Sequence, residues 1–169
     1  MKRIFLITLA AVLLLSSFTF AGAVSPVGAK GPKILKFDTM VGIPLSLTGG
    51  NSAGPLRGIN GGGAPWAIAD ASGELRANGH LEITVQGLVL ATTGSNPSAF
   101  FRGLVSCVKS DGSFQNILTG QFPATTGLAS AGGGNAEIVA DLSLPQPCIA
   151  PIIFVTNGAG TGWFAATGF

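Results

Sequence analysis

Apolar and polar residues alternate with a period of two along several segments of this chain, which is the pattern of β-strands with one buried face. Within residues 81–85, three apolar side chains alternate with Glu82 and Thr84. Residues 135–144 alternate in the same way. Both segments are predicted to be strands that turn one face to a core and the other to water.

Two hairpins are predicted from turn signals between such segments. The first has its arms at residues 66–76 and 80–90 and the pair Asn78-Gly79 between them, a pair suited to a type I′ turn. The second has its arms at residues 100–108 and 114–118, with an Asp-Gly pair between them.

The remaining strand patterns lie at residues 33–40, 43–48, 149–156 and 163–169. The third of these segments is almost continuously apolar, which predicts a central strand buried on both faces. Gly or Pro interrupts nearly every stretch long enough for three helical turns, so a helical bundle is excluded. About eight or nine short strands with turns between them predict an all-β fold, an antiparallel β-sandwich or jelly roll.

The first 23 residues have the pattern of a secretory signal peptide. Lys2 and Arg3 precede an apolar run at residues 4–15, and small residues end at Ala23, where cleavage is predicted. The alternative is a retained membrane anchor, but the apolar run is shorter than the roughly 20 residues of a spanning helix. We therefore expect an exported product, secreted or held in the cell envelope, with no membrane span after cleavage.

Cleavage leaves 146 residues, enough for one domain, and they hold seven basic and seven acidic residues. We expect a flexible leader at residues 24–32 and a single domain at residues 33–169. This balance argues against a nucleic-acid partner, which needs clustered cations. The one basic cluster, Lys30, Lys33 and Lys36, is interpreted as a solvated tail or as a contact with an anionic envelope polymer.

Two cysteines in an exported chain indicate one disulfide. Cys107 ends one strand-like segment and Cys148 precedes another, so a bridge between them would join neighbouring strands. A nucleophilic cysteine needs an adjacent base, and the chain has a single His. A structural disulfide is therefore predicted.

One segment matches the nucleophile-elbow pattern G-x-S-x-G around Ser52, and Asp70 and His80 follow in hydrolase order. An elbow needs a helix after the Ser, but Pro55 and the Gly-rich stretch that follows it cannot form one. His80, next to a turn, is interpreted as an exposed hairpin residue. No catalytic residue is predicted.

Cofactor chemistry has few candidate residues. One His and two disulfide-bonded cysteines leave too few ligands for a transition metal, and no cofactor or metal ligand is predicted. Calcium stays open, because loop carboxylates could supply oxygen ligands, but they lack EF-hand spacing and are interpreted as solvated: Asp70, Glu74, Asp111 and Asp141. A small hydrolase or lyase using carboxylates such as Asp70, Glu74 or Glu82 is the alternative function.

An outer-membrane β-barrel is the alternative fold. It is suggested by the terminal Phe169 and opposed by the absence of Tyr, which the aromatic girdles of such barrels would contain.

Two tryptophans follow Gly-rich loops and are candidate ligand contacts. Trp66 comes after a run of three glycines, and Trp163 follows a second Gly-rich turn. An indole beside a loop can stack on a sugar ring or anchor a partner protein. The alternative, which we favour, is that both fill the core between two sheets.

Three stretches, at residues 54–66, 122–127 and 144–156, carry a resemblance to a family of small secreted bacterial proteins of unknown function. The resemblance covers nearly all of the chain after the signal peptide and implies a single β domain with one or two structural cysteines. It implies no catalytic residue. The sequence thus predicts a non-enzymatic structural or binding module, with a cell-wall polymer, a glycan or another envelope protein as candidate partners.

Overall fold

The computed structural model describes residues 31–49 and 55–167, so the predicted signal peptide lies outside the described residues. Within these ranges the regular structure consists of strands and two three-residue 3₁₀ turns, Leu45–Leu47 and Ala129–Ala131. The strands are β1 (Lys33–Phe37), β2 (Met40–Gly42), β3 (Trp66–Ala67), β4 (Asp70–Arg76), β5 (His80–Gln86), β6 (Val89–Leu90), β7 (Ser95–Asn96), β8 (Phe100–Val108), β9 (Phe114–Leu118), β10 (Phe122–Pro123), β11 (Gly127–Leu128), β12 (Ala136–Asp141), β13 (Ile149–Asn157) and β14 (Trp163–Thr167). The all-β prediction is confirmed.

Two antiparallel sheets pack face to face around one core. The four-stranded sheet has the order β1-β4-β5-β12, and the six-stranded sheet has the order β10-β8-β13-β14-β2 with β9 also paired to β8. A Cβ atom at Gly103 of β8 would lie 3.1 Å from Leu81 and 3.2 Å from Ile83, both on β5. The inner faces of the two sheets are therefore in direct contact, as in a β-sandwich.

The core consists of the inward-facing apolar residues that the alternation predicts. From the four-stranded sheet it includes Leu75, Leu81, Ile83, Val85 and Ile138, and from the six-stranded sheet Phe101, Val105, Ile153 and Val155. All of these side chains are at most 2% exposed. Burial of a side chain of this size contributes about 1.5–3 kcal/mol, so this layer is the main source of stability.

The number of strands, fourteen in the described residues, is larger than the predicted eight or nine. Five of the strands are only two residues long. Three of them, β7, β10 and β11, lie in segments for which no strand was predicted, and β3 and β6 are the outer ends of the first hairpin's predicted arms. In the first hairpin, Gly87 has a φ of +62° and separates β5 from β6. The outer ends of the arms still pair with each other, since Trp66 lies opposite Leu90.

The prediction of a strand at residues 43–48 is wrong, because Leu45–Leu47 form a 3₁₀ turn. The N–H of Ile43 still donates to Phe164 and continues the ladder of β2, but Pro44 has no N–H with which to extend it. The predicted strand at residues 33–40 is divided between the two sheets. Its first part is β1 in the four-stranded sheet, and Met40 begins β2 in the six-stranded sheet.

The hairpin at Asn78-Gly79 is confirmed, but its turn is not of type I′. Leu75 lies opposite Leu81, and the N–H of Gly79 donates to the carbonyl of Arg76 at 2.9 Å. Gly79 has a φ of +91°, whereas Asn78 does not have a positive φ. This is a three-residue connection with one left-handed glycine, a turn with which an Asn-Gly pair is also compatible.

The second hairpin, β8 and β9, has the predicted bounds. Its turn is fixed by Asp111, which accepts hydrogen bonds from the N–H and hydroxyl of Ser113 at 2.9 and 2.6 Å. These bonds lower the pKa of Asp111 to about 2. Strand β13 lies between β8 and β14, and its second half, from Ile153 to Thr156, is buried on both faces as expected. For the start of the strand this prediction is wrong, because Ile149 and Ala150 are exposed.

The beginning of the described chain is held against the first hairpin. The N–H of Ala77 donates to Pro32 at 2.8 Å, and Arg76 donates to the carbonyl of Gly31 at 3.2 Å. Residues 31 and 32 of the expected leader therefore contact the folded domain. The rest of that leader lies outside the described residues.

Candidate functional surfaces

The Ser-Asp-His order noted in the sequence does not assemble around His80. Asp70 begins β4 and pairs with Gln86 at one end of the hairpin, whereas His80 begins β5 at the other end. Six residues of extended chain, about 20 Å, separate the two positions. Ser52 lies outside the described residues. Asp70 and His80 therefore cannot form the acid–base half of a hydrolase triad.

His80 instead bridges two carboxylates on the outer face of the four-stranded sheet. Its Nδ1 is 2.8 Å from Asp141 and its Nε2 is 2.7 Å from Glu82. The hydrogen bond to Asp141, and after it the one to Glu82, raises the pKa of His80 above the ordinary 6.5. Since a protonated imidazole donates through both nitrogens, His80 links β5 to β12 and keeps no free nitrogen for a substrate.

The link through His80 makes stability depend on pH. Because the pKa of His80 is raised in the folded chain, its stabilising contribution is fully present below about pH 6.5 and is lost as pH rises through the folded pKa. We expect His80→Gln to remove this component, about 1 kcal/mol or less because the pair is partly exposed to water. Urea unfolding at pH 5 and pH 9 measures it. An equal pH dependence in the variant and the parent chain would contradict the assignment.

A second charged cluster surrounds Glu74, which forms ion pairs with Lys33 and Arg76. Glu74 lies directly opposite Glu82 on the neighbouring strand. The Lys33 hydrogen bond, more than that from Arg76, lowers the pKa of Glu74 despite its desolvation. A glycosidase acid needs a raised pKa, so this shift is opposite to the one that catalysis by Glu74 would require.

The acidic residues are concentrated on one side of the molecule. Six of the seven lie on the four-stranded sheet or next to it: Asp38, Asp70, Glu74, Glu82, Glu137 and Asp141. In the described part of the chain, no group of three or more His, Cys, Asp or Glu is placed to hold a metal ion. Around His80 the reason is geometric, since Asp141 and Glu82 contact opposite nitrogens of the ring. We call the outer surface of the four-stranded sheet the polar face.

Trp66 is an interior residue. Its side chain is 6% exposed, and its ring stacks on Phe164 with the ring centres 3.8 Å apart. The ring of Phe101 meets it edge to face at 6.4 Å. No face of this indole is open to a ligand, so Trp66 closes one end of the core.

Trp163 is also buried, at 3% exposed, but on the other side of the six-stranded sheet. Its ring lies 5.8 Å from that of Phe154. It borders a groove of about 120 Å³ on the outer surface, together with Val41, Pro44, Leu47, Leu56, Ala166 and Thr167. Of the two candidate tryptophans, Trp163 is thus the one that adjoins an external site.

The outer surface of the six-stranded sheet is apolar and partly uncovered. Val41 on β2 is 51% exposed, Leu45 in the following turn is 60% exposed, and Phe114 on β9 is 53% exposed. Below them, Leu104 and Phe154 are almost completely buried. We call this surface the apolar face, and exposed apolar side chains beside an apolar groove are typical of interaction sites.

A tight turn that the sequence analysis missed lies on the apolar face. Leu56 and Ile59 exchange backbone hydrogen bonds of 3.1 and 2.9 Å, and both residues between them have positive φ, +50° at Arg57 and +78° at Gly58. This is a type I′ turn, for which the Arg-Gly pair is a weak signal. It places the Arg57 guanidinium 5.4 Å above the Phe114 ring and 3.2 Å from the carbonyl of Ser106.

The predicted disulfide is confirmed. Cys107 and Cys148 are bonded, with their Cα atoms 4.9 Å apart. Cys107 is completely buried on β8, and Ile149, next to Cys148, is the first residue of β13 and pairs with Val108. The bond joins the start of β13 covalently to β8.

Comparisons with known proteins identified no relative. No family model, curated protein or solved structure matches the chain. Among the residues that the structure describes, there is no helix with the length and apolar character needed to cross a membrane.

Proposed function

We propose that the protein is exported and acts outside the cytoplasm as a non-catalytic β-sandwich that binds another envelope protein through its apolar face. The signal-peptide pattern at residues 1–23 supports export. The Cys107–Cys148 disulfide supports the same compartment, because such bonds persist where the surroundings are oxidising.

The observation that carries the proposal is the contrast between the two outer faces. On the polar face, His80 and Glu74 are already engaged by side chains of the same chain. On the apolar face, large apolar side chains are open to water beside the groove at Trp163. Side chains that already form ion pairs with each other gain little from a partner. A partner that covers the apolar face removes apolar surface from water, which stabilises the complex.

The composition of the groove favours a protein partner over a cell-wall polymer or a glycan. Its walls include Val41, Leu47 and Leu56, and almost all of its lining atoms are apolar. Sugar hydroxyls buried there would lose their hydrogen bonds to water without finding new partners. An apolar side chain of a protein would be stabilised by the same transfer.

Val41→Ser is the variant that tests this proposal, and Val139→Ser is its matched control. Both valines are about half exposed, at 51% and 54%, but Val41 lies on the apolar face and Val139 on the polar face. We expect Val41→Ser to weaken binding of the exported chain to envelope proteins about tenfold, the effect of roughly 1.4 kcal/mol at an interface. We expect Val139→Ser to leave that binding unchanged.

Binding is measured by co-sedimentation with cell envelopes, with protease-treated envelopes and with purified cell-wall polymer. Loss of binding after protease treatment and with Val41→Ser supports the proposal. Equal binding by both variants, or undiminished binding to protease-treated envelopes or to the purified polymer, would overturn it. Since both substitutions are at exposed positions, their unfolding free energies should differ from that of the parent chain by no more than about 1 kcal/mol.

A further inference from the structure

Strand β9 has one edge without a partner. In residues 31–49 and 55–167, β9 pairs only with β8. The N–H of Thr119 donates to Gly103 at 2.9 Å, so residues of the same parity on β9 bond to β8. The alternate residues Phe114, Asn116 and Leu118 therefore direct their N–H and C=O groups away from the sheet.

The other edges of the two main sheets are protected by the usual means. Charged residues lie on β1, with Lys33 and Lys36 and an irregular register, and on β12, with Glu137 and Asp141. Strand β2 is only three residues long. The two residues of β10, one of them Pro, pair with β8 beyond the end of β9, so proline also limits the length of the edge that β9 begins. Charges, irregular register, short length and proline each discourage pairing with another chain.

Strand β9 has none of these devices. Residues 112–121 contain no charged residue and no Pro, and β9 pairs with β8 over five residues without a break in register. The first three of its residues are exposed, including the ring of Phe114. An uncharged edge of this length with free backbone groups is a template for an added strand.

We propose that β9 is a self-association edge, on which β9 of a second copy of this chain adds in antiparallel orientation. A two-fold axis at Asn116 places Asn116 against Asn116 of the second copy and Phe114 against Leu118 of the second copy. In this register the residues with free backbone groups meet each other, which forms about six new hydrogen bonds. Aromatic and aliphatic side chains face each other, a favourable cross-strand pair.

The sequence of β9 makes a second copy the occupant that fits. With no charge on the strand, two identical edges meet without repulsion. Of the three residues with outward backbone groups, the two large apolar ones, Phe114 and Leu118, are equidistant from Asn116, so they exchange places across the axis. The Arg57 side chain lies over one face of Phe114, and the Arg57 carbonyl accepts a hydrogen bond from the side-chain amide of Asn116 at 3.1 Å. Neither contact uses the backbone N–H or C=O groups of β9. Pairing joins two six-stranded sheets into one continuous sheet.

The experiment is a charge swap at Asn116, an exposed residue on the axis. We expect the exported chain to sediment as a dimer, and Asn116→Lys and Asn116→Asp each to weaken dimerisation about tenfold or more, because like charges then face each other. An equimolar mixture of the two variants should dimerise again. Val139→Lys, on the protected edge β12, should have no effect on dimerisation.

Sedimentation of each sample at several concentrations decides the proposal. Recovery of the dimer in the mixture supports pairing at Asn116 and cannot result from a folding defect in either variant. A parent chain that is monomeric at every concentration, or a parent dimer that the mixture does not restore, would overturn it. Because Val41 lies on β2 at the opposite edge of the sheet, this experiment and the envelope-binding experiment can fail separately.

Discussion

Reduction of the Cys107–Cys148 disulfide is expected to lower the free energy of unfolding by about 4 kcal/mol in the chain-entropy model. The two cysteines are 41 residues apart, so the bond removes the freedom of a large loop from the unfolded chain. Small domains are commonly stable by only about 5–15 kcal/mol, and the loss is therefore a large part of the total.

Urea unfolding of the oxidised and reduced chain, followed at pH 7, measures this difference. The exported product, read by mass under non-reducing conditions, should begin near Val24 and weigh two hydrogens less than its reduced form, as one disulfide requires. A change in stability below about 1 kcal/mol would contradict the predicted role of the bond. A product that retains residues 1–23 would contradict the predicted cleavage.

Trp66→Ala is expected to have a comparable effect, lowering the unfolding free energy by about 3–5 kcal/mol. The ring fills the space against Phe164 and Phe101 at the end of the core, and its removal leaves a cavity there. Trp66→Phe keeps an aromatic ring at the position and should destabilise less. Phe114→Ala, at an exposed aromatic residue, is the control and should change stability by about 1 kcal/mol or less.

Thermal and urea unfolding of the three variants test the assignment of Trp66 to the core. If Trp66→Ala keeps the parent melting temperature and instead loses a ligand, the indole is a binding residue and its buried position is wrong. If Trp66→Ala does not fold, the smaller loss in Trp66→Phe still gives a measurable value, because this variant replaces the indole with a smaller aromatic ring instead of removing the ring.

Contacts on the polar face account for acidic residues that the sequence offers as catalytic candidates. On the polar face, Glu74 and Glu82 are candidate catalytic carboxylates when they are considered in isolation. Glu74 forms an ion pair with Lys33 on the neighbouring strand β1, and Glu82 with His80, two residues earlier on its own strand, which Asp141 of β12 also contacts. The partners on neighbouring strands, Lys33 and Asp141, are the ones that spacing along the chain does not reveal.

Local patterns in the sequence determined the strand character of β5 and β12, the bounds of β8 and β9, and the pairing of the two cysteines. The strand character depends on alternation with a period of two, and the bounds of the hairpin depend on a turn pair, and both patterns extend over only a few residues. The cysteine pairing was predicted because the chain has only two cysteines and an export signal. The sequence also predicted a core position for Trp66 as the favoured alternative, which its burial agrees with.

Tertiary structure alone decided which sheet each strand joins and what each outer face displays. The groove at Trp163 combines Val41 and Leu56, residues more than a hundred positions away in the chain, and β9 is an open edge only because no other described strand pairs beside it. The Arg57 turn and the 3₁₀ turn after Pro44 likewise depend on backbone hydrogen bonds that local patterns signal weakly. The physical reason is that alternation is a local property, whereas strand order and surface exposure follow from contacts between distant segments.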